Sequence, residues 1–166
     1  MPEPDWQVRL NAVDWSRFRT VYGVATTVPE QIERLHSPDE TIALSGAADL
    51  QAGLCREHVQ IASAALPAFP FIIEMLPCSS ERVTAGILDI LVGFAITTNR
   101  VAMDRFASAV GKRRMPQPPW VEELREALRM ALPRIAAYVT HHNPTISEFA
   151  QRFVDEMGKD TSPASK

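Results

Sequence analysis

The sequence predicts an all-α fold of about seven or eight helices, stacked as antiparallel pairs. Its 166 residues are 46% hydrophobic and 22% charged, a balance typical of one globular domain. Apolar side chains recur every three or four residues between strong start and stop signals, as amphipathic helices require. A short motif also occurs twice. We therefore expect a single helical domain over residues 14–157.

The first third of the chain carries three predicted helices. Residues 1–13 are assigned to an N-terminal tail, and residues 14–23 to a short helix that starts at an Asp and ends at a Gly. Pro29 occupies a first-turn position of the second helix. The Ser-Pro-Asp-Glu run at 37–40 combines a capping side chain, a proline and first-turn acids. It predicts a third helix through about Leu54.

The central segment has helical periodicity interrupted by prolines. A helix beginning near Glu57 contains Pro67 and Pro70, which remove backbone donors and predict a kink or break. Ser79 or Ser80 can cap the next helix, whose apolar composition predicts nearly complete burial.

The last third contains the least regular sequence. Residues 99–119 combine a helical stripe with a basic, proline-rich run, so 111–119 is interpreted as an insertion. A helix containing Pro133 follows, and Asn143 precedes a final helix. Residues 158–166 form a polar tail that we expect to be disordered.

An internal repeat supports the stacking. Ala65-Leu66-Pro67 and Ala131-Leu132-Pro133 are identical tripeptides 66 positions apart. The same offset pairs apolar residues downstream: Val83 with Phe149, Ile87 with Phe153, Leu88 with Val154, and Leu91 with Met157. Each unit is interpreted as a kinked helix, a turn and a second helix, which bury their apolar stripes only against a neighbouring unit. Chance similarity between two amphipathic stretches is the alternative.

Charge argues against nucleic acid and for a protein partner. The formal net charge is −3, so the chain lacks the cationic field that a phosphate backbone requires. Residues 1–60 hold nine acids and five arginines, a difference of −4. We expect either a surface for a basic partner or ordinary solvated helix faces. The predicted partner-binding residues are Glu30, Glu33, Asp39, Glu40, Trp6, Lys112, Arg113 and Arg114.

No assembled catalytic, cofactor or metal site is predicted. Glycine-rich phosphate loops and nucleophile-elbow motifs are absent from the sequence. His141 and His142 would point about 100° apart on a helix, so a role at the helix C-terminus is preferred to metal binding. Cys55 and His58 suggest a thiol–imidazole pair, but residues three apart on a helix are usually packing neighbours. The chain is predicted to be no enzyme.

The expected location is the cytoplasm. The two cysteines, Cys55 and Cys78, form no CxxC pair and are interpreted as reduced thiols. The acidic N-terminus lacks the basic start and apolar run of a secretion signal. The most apolar stretch, residues 83–96, contains Asp89 and is too short to cross a bilayer.

Several of these residues carry a family resemblance. In order, they are Trp15, Tyr22-Gly23, Val28-Pro29, Leu35-His36-Ser37-Pro38-Asp39 and Ala65-Leu66-Pro67-Ala68-Phe69-Pro70-Phe71-Ile72. This order of motifs resembles the start of bacterial HEAT-repeat-like proteins over about residues 15–98, and the second Ala-Leu-Pro unit extends the resemblance to about residue 157. Such proteins are compact α-solenoids and include cytoplasmic immunity proteins that neutralise polymorphic or contact-delivered toxins. The resemblance implies a protein-binding role with a toxin as the partner, and the acidic N-terminal third favours a basic toxin domain. A regulatory or scaffold adaptor is the alternative, and a HEAT-like DNA glycosylase fits the acidic balance less well.

Overall fold

The computed structural model describes residues 4–99, 104, 107–112 and 116–159. It confirms the all-α prediction. Asp104 and residues 107–109 are also helical. Three short 3₁₀ helices and one two-stranded antiparallel hairpin complete the described secondary structure. The α-helices are α1 (Asp5–Asn11), α2 (Val28–Leu35), α3 (Glu40–Leu54), α4 (Ala65–Ile73), α5 (Glu81–Thr98), α6 (Pro119–Ala136) and α7 (Pro144–Gly158); the strands are β1 (Arg19–Thr20) and β2 (Gly23–Val24); and the 3₁₀ helices are Trp15–Arg17, Arg56–His58 and Leu76–Cys78.

Four predicted helix starts are confirmed. Pro29 lies in the first turn of α2. The Ser-Pro-Asp-Glu run does precede α3, but its cap is Asp39, which accepts hydrogen bonds from the first-turn amides. Ser37 and Pro38 lie before the helix, so the predicted places of the cap and the proline are wrong. Ser80 and Asn143 accept hydrogen bonds from first-turn amides of α5 and α7. These side chains satisfy donors that have no partner within the helix, so the start signals depend on local chemistry.

The predicted helix over residues 14–23 is wrong. Asp14 does accept a hydrogen bond from a backbone amide, but it caps only a 3₁₀ turn. The chain then enters the β1–β2 hairpin, where Gly23 has a φ of 142° that other residues rarely adopt. The hairpin is fastened to α3 because the amide of Val21 donates to the carbonyl of Gly53 at 2.8 Å. This long-range bond replaces a local helical one.

The N-terminal segment is also more ordered than predicted. Residues 5–11, assigned to a tail, form α1, and its Leu10 is fully buried. The indole nitrogen of Trp15 donates to the carbonyl of Leu10 at 3.2 Å. Burial of this apolar side chain holds α1 on the domain.

The two Ala-Leu-Pro motifs occupy different structural positions. Pro67 lies in the first turn of α4, where a missing amide costs little. Pro133 lies in the last turn of α6. The prediction of equivalent kinked helices is therefore wrong, and the chain breaks before Pro67, between the Arg56–His58 turn and α4.

Helix α5 is the centre of the core. Ile87, Leu88, Ile90 and Leu91 are fully inaccessible to solvent, which confirms the predicted burial of this helix. It contacts α3, α4, α6 and α7. The contacts order the helices into two rows, with α2, α4 and α6 touching in series and α3, α5 and α7 touching in series. None of the helices in the described part of the chain combines the length and apolarity needed to cross a bilayer.

A buried arginine secures the C-terminal end of α5. Arg125 of α6 is 1% exposed. Its guanidinium donates to the carbonyl of Ala95 at 2.6 Å, to the hydroxyl of Thr98 at 3.3 Å and to the carbonyl of Glu156 at 3.1 Å. These charge-assisted bonds join α5, α6 and α7 at one point.

Candidate functional site

The hairpin presents the most exposed aromatic side chain among the described residues. Tyr22 stands at the turn between β1 and β2 and is 70% exposed. Two hollows flank it, one of about 430 Å³ beside the Arg56–His58 turn and one of about 340 Å³ between the hairpin, α2 and α3. Both are bordered by Tyr22 and Ala52, so they form one continuous surface. We call it the hairpin surface, defined by Tyr22, Val24, Thr27, Asp49, Arg56 and Glu57.

Hydrogen bonds within the hairpin and to more distant segments hold the backbone of Tyr22 in place. The amide of Tyr22 donates to the hydroxyl of Thr20 at 3.2 Å, and that hydroxyl donates to the carbonyl of Gly23 at 3.3 Å. The amide of Arg19 donates to the hydroxyl of Ser63 at 3.0 Å, and Val21 is bonded to α3. The side chain is therefore presented from a fixed backbone.

One edge of the hairpin surface contains an unusual backbone conformation. Glu57 and His58 have φ values of 52° and 54°, a left-handed region that costs an L-residue about 1–2 kcal/mol. The amide of His58 donates to the carbonyl of Cys55 at 3.1 Å, and the amide of Ala62 donates to the carbonyl of Leu54 at 2.9 Å. Strained backbone of this kind clusters at functional sites.

A polar group lies beneath this edge. The carboxylate of Asp89 accepts a hydrogen bond from the side-chain amide of Gln51. It also lies 3.2 Å from Nε2 of His58. Asp89 was not predicted as a site residue. The signal available in the sequence was an acidic residue inside the apolar run that became α5.

The structure brings the thiol and the imidazole together without creating a nucleophile. A Cβ placed on Gly93 would lie 2.8 Å from both Sγ of Cys55 and Cδ2 of His58, so both side chains pack on that glycine. Burial, with a contribution from the charge of Asp89, raises the pKa of Cys55 to about 12. At neutral pH only about one molecule in 10⁵ would carry the reactive thiolate. Packing accounts for this pair better than catalysis does.

Several of the predicted acidic residues are already engaged in contacts within the chain. Glu30 and Glu33 are exposed on α2, and Arg34 lies 4.0 Å from Glu30 and 2.6 Å from Asp49. Asp39 is used as the cap of α3. Helix α2 adjoins the hairpin surface, because its Gln31 borders the smaller hollow together with Asp49 of α3.

Glu40, the first residue of α3, is also engaged in an ion pair. It pairs with Arg82 at 3.0 Å. A hydrogen bond with Ser80, and secondarily the contact with Arg82, hold the pKa of Glu40 below its usual value.

Trp6 is not the exposed anchor expected of a tail residue. It is half-buried, with its ring centroid 4.1 Å from that of His36. Beside it, Arg9 lies 2.8 Å from Glu74. Trp6 therefore fastens α1 to the domain. Of the predicted basic cluster, Lys112 is exposed, whereas Arg113 and Arg114 lie outside the described residues.

The loop between α6 and α7 brings together two histidines, which the sequence predicted to point apart, and a glutamate of α5. His141 and His142 follow the end of α6, so the predicted divergence on a helix is wrong. Their ring centroids are 4.4 Å apart. Glu81, the first residue of α5, lies 2.5 Å from Nε2 of His142. Its pKa is lowered by a hydrogen bond from Asn143 and then by the two histidines.

No protein-family model, curated protein or solved structure matches this chain. The resemblance to HEAT-repeat-like proteins stays a prediction.

Proposed function

We propose that this chain is a protein-binding module, acting as a cytoplasmic immunity protein that binds and occludes a cognate bacterial toxin through the hairpin surface. The observation that carries the proposal is Tyr22, 70% exposed between two hollows. Tyrosine is enriched at energetic hot spots because it brings a large, amphipathic contact area with few rotatable bonds. Its position between two hollows offers a partner both an aromatic side chain to cover and recesses to fill.

The hairpin geometry favours binding without rearrangement. The fastening of Val21 to Gly53 at 2.8 Å fixes the turn that carries Tyr22. A side chain presented from a fixed backbone loses less conformational entropy when it binds.

Charge favours a basic partner. Asp49 and Glu57 border the hairpin surface against one arginine, Arg56, and Glu30 and Glu33 lie on the adjoining helix. Complementary charge raises the association rate and discriminates against acidic partners. A basic toxin domain is the partner class that fits this field.

The helix contacts support the architectural part of the proposal. Two rows of helices, each touching in series, agree with a compact α-solenoid made of the pairs α2–α3, α4–α5 and α6–α7. Of the quoted resemblance motifs, those from Val28 to Ile72 lie in α2, at the turn into α3 and in α4, whereas Trp15 and Tyr22-Gly23 precede α2. In such arrangements neighbouring pairs bury each other's apolar faces and leave an extended surface for a partner.

The test is co-expression with each toxin-like protein encoded beside this chain in its native genome. We expect one of them to be retained by this chain and its toxicity to be suppressed. Tyr22→Ala should raise the dissociation constant by about 30-fold, which is equivalent to about 2 kcal/mol of binding free energy. Met130→Ala is the matched control, since Met130 is 76% exposed on α6, far from the hairpin in sequence. Equal loss in both variants would discard the hairpin surface.

The acidic field has a separate test. Reversing Glu30 and Glu33 to Lys should slow association, with the effect diminishing at high salt. Asp39 is left unchanged because its loss would cost the α3 cap about 1 kcal/mol. An unchanged association rate would remove charge steering from the proposal.

Other outcomes identify the alternatives. A stable partner that is not toxic and not encoded nearby would indicate a regulatory or scaffold adaptor. Salt-dependent retention of DNA would instead support the nucleic-acid enzyme.

A further inference from the structure

Glu81, His141 and His142 form the only group of three or more metal-ligating side chains found among the described residues whose ligand atoms all lie within 4.8 Å of one another. The structure assigns to this group a binding site for one divalent transition-metal ion of the zinc class. The site is independent of the hairpin surface and contrasts with the sequence-based expectation of no metal ligands. It joins the N-terminus of α5 to the loop between α6 and α7.

The spacing suits tetrahedral coordination after small side-chain rotations. Zinc bonds of 2.0–2.2 Å imply ligand atoms separated by about 3.3 Å. Nε2 of His142 and Oε1 of Glu81 are 2.5 Å apart, and their side chains are 79% and 46% exposed. Both can rotate apart to admit an ion without moving the backbone. A bound ion would take the place of the direct contact between the imidazole and the carboxylate.

A neighbouring amide orients the carboxylate. Nδ2 of Asn143 donates to Oε2 of Glu81 at 2.8 Å, which leaves Oε1 directed at His142. The Oδ1 atom of Asn143 is itself held by the amide of Thr145 at 3.0 Å, as the cap of α7. Outer groups of this kind fix the orientation of metal ligands and contribute to affinity.

A backbone amide of the loop hydrogen-bonds His141, and metal binding must displace that bond. Nδ1 of His141 accepts a hydrogen bond from the backbone amide of Asn143 at 3.1 Å, so this nitrogen carries no proton in the arrangement. A metal at Nδ1 replaces this bond, and a metal at Nε2 requires the other tautomer. Either change sacrifices about 1 kcal/mol, the net value of one hydrogen bond.

The ligand types select the metal. Two imidazoles and one carboxylate suit zinc, nickel or copper, whereas magnesium and calcium prefer sites composed of oxygen atoms. The exposed position of His142 leaves room for water as a fourth ligand. A bound ion would cross-link two parts of the fold that are separated by 60 positions in the chain, and would stabilise the folded state in proportion to its concentration.

The experiment is calorimetric titration of the untagged, metal-free full chain with zinc chloride, and with magnesium chloride in parallel. We expect one zinc per chain, no magnesium binding, and a melting temperature that rises with zinc. Glu81→Gln and His142→Ala should each weaken zinc binding by at least about ten-fold. Glu148→Gln, which alters an exposed acid on α7, should bind zinc like the unaltered chain.

Three results would overturn the assignment. The first is that zinc does not bind saturably. The second is that magnesium binds at the same site. The third is that Glu81→Gln binds zinc with unchanged affinity, which would leave the loop histidines as the only ligands. Melting curves without metal establish that each variant is folded. The high exposure of Glu81 and His142 predicts only small stability changes from either substitution.

Discussion

Helices α2 and α3 approach so closely at Gly46 that no side chain fits between them. A Cβ added there would lie 2.6 Å from the amide nitrogen of Leu35, 2.7 Å from the carbonyl oxygen of Gln31 and 3.0 Å from the carbonyl carbon of Arg34. All three atoms belong to the backbone of α2. The substitution Gly46→Ala therefore cannot be accommodated by a side-chain rotation and must displace the helix.

The size of the effect follows from two opposing terms. Alanine is favoured over glycine inside a helix by about 1 kcal/mol. Against this, the two shortest contacts fall 0.8 and 0.7 Å below the 3.4 Å of ordinary van der Waals contact, and overpacking typically costs about 1–3 kcal/mol. Displacing α2 also moves its fully buried Ile32 and Leu35. We expect the overpacking to prevail, with a net loss of about 2 kcal/mol.

Urea unfolding measures this difference, and the same helix supplies the control. A Cβ on Gly53 meets Thr20 Cβ at 3.7 Å, an ordinary contact. Gly53→Ala should therefore raise the free energy of unfolding by up to about 1 kcal/mol, the gain in helix propensity, and so raise the urea midpoint. Gly46→Ala should lower the midpoint with an unchanged slope, and lower the melting temperature by about 4–8 °C. If Gly46→Ala is as stable as the unaltered chain, the close approach of α2 and α3 is incorrect.

Three further predictions concern buried groups. Arg125→Met should destabilise the chain by about 3 kcal/mol in urea unfolding, because buried carbonyl acceptors lose their donor; a loss below about 1 kcal/mol would show that the guanidinium contacts contribute little. Burial is the main cause that lowers the pKa of His36. The folded state therefore stays neutral where the unfolded state binds a proton, and stability should fall as pH drops below about 6.5. His36→Gln should flatten that dependence between pH 7 and 5, and an equally steep curve would assign it to other groups. Of the two thiols, exposed Cys78 should react rapidly with an aromatic disulfide reagent while Cys55 reacts only on unfolding. Cys78→Ser should abolish the rapid phase, and a persistent rapid phase would contradict the burial of Cys55.

The candidate site was only partly accessible to sequence reasoning. Exposed acids on α2 were predicted because polar positions of an amphipathic stripe face solvent. The ion pairs in this region could not be predicted, since the contact of Arg34 with Asp49 at 2.6 Å depends on how α2 packs on α3. Tyr22 falls within the predicted helix over residues 14–23, which the structure does not form. Its exposure depends on the hairpin, which is stabilised by a bond to Gly53 about thirty residues away.

The sequence by itself determined the features that arise within one turn of a helix. The all-α class, the starts of α3, α5 and α7 to within a few residues, and the burial of α5 follow from local hydrogen bonding and apolar periodicity. Only the tertiary structure decided that residues 19–24 form a hairpin and that Glu81 meets the histidines after α6. Such outcomes depend on contacts between distant segments, whose free energy overrides weak local propensities.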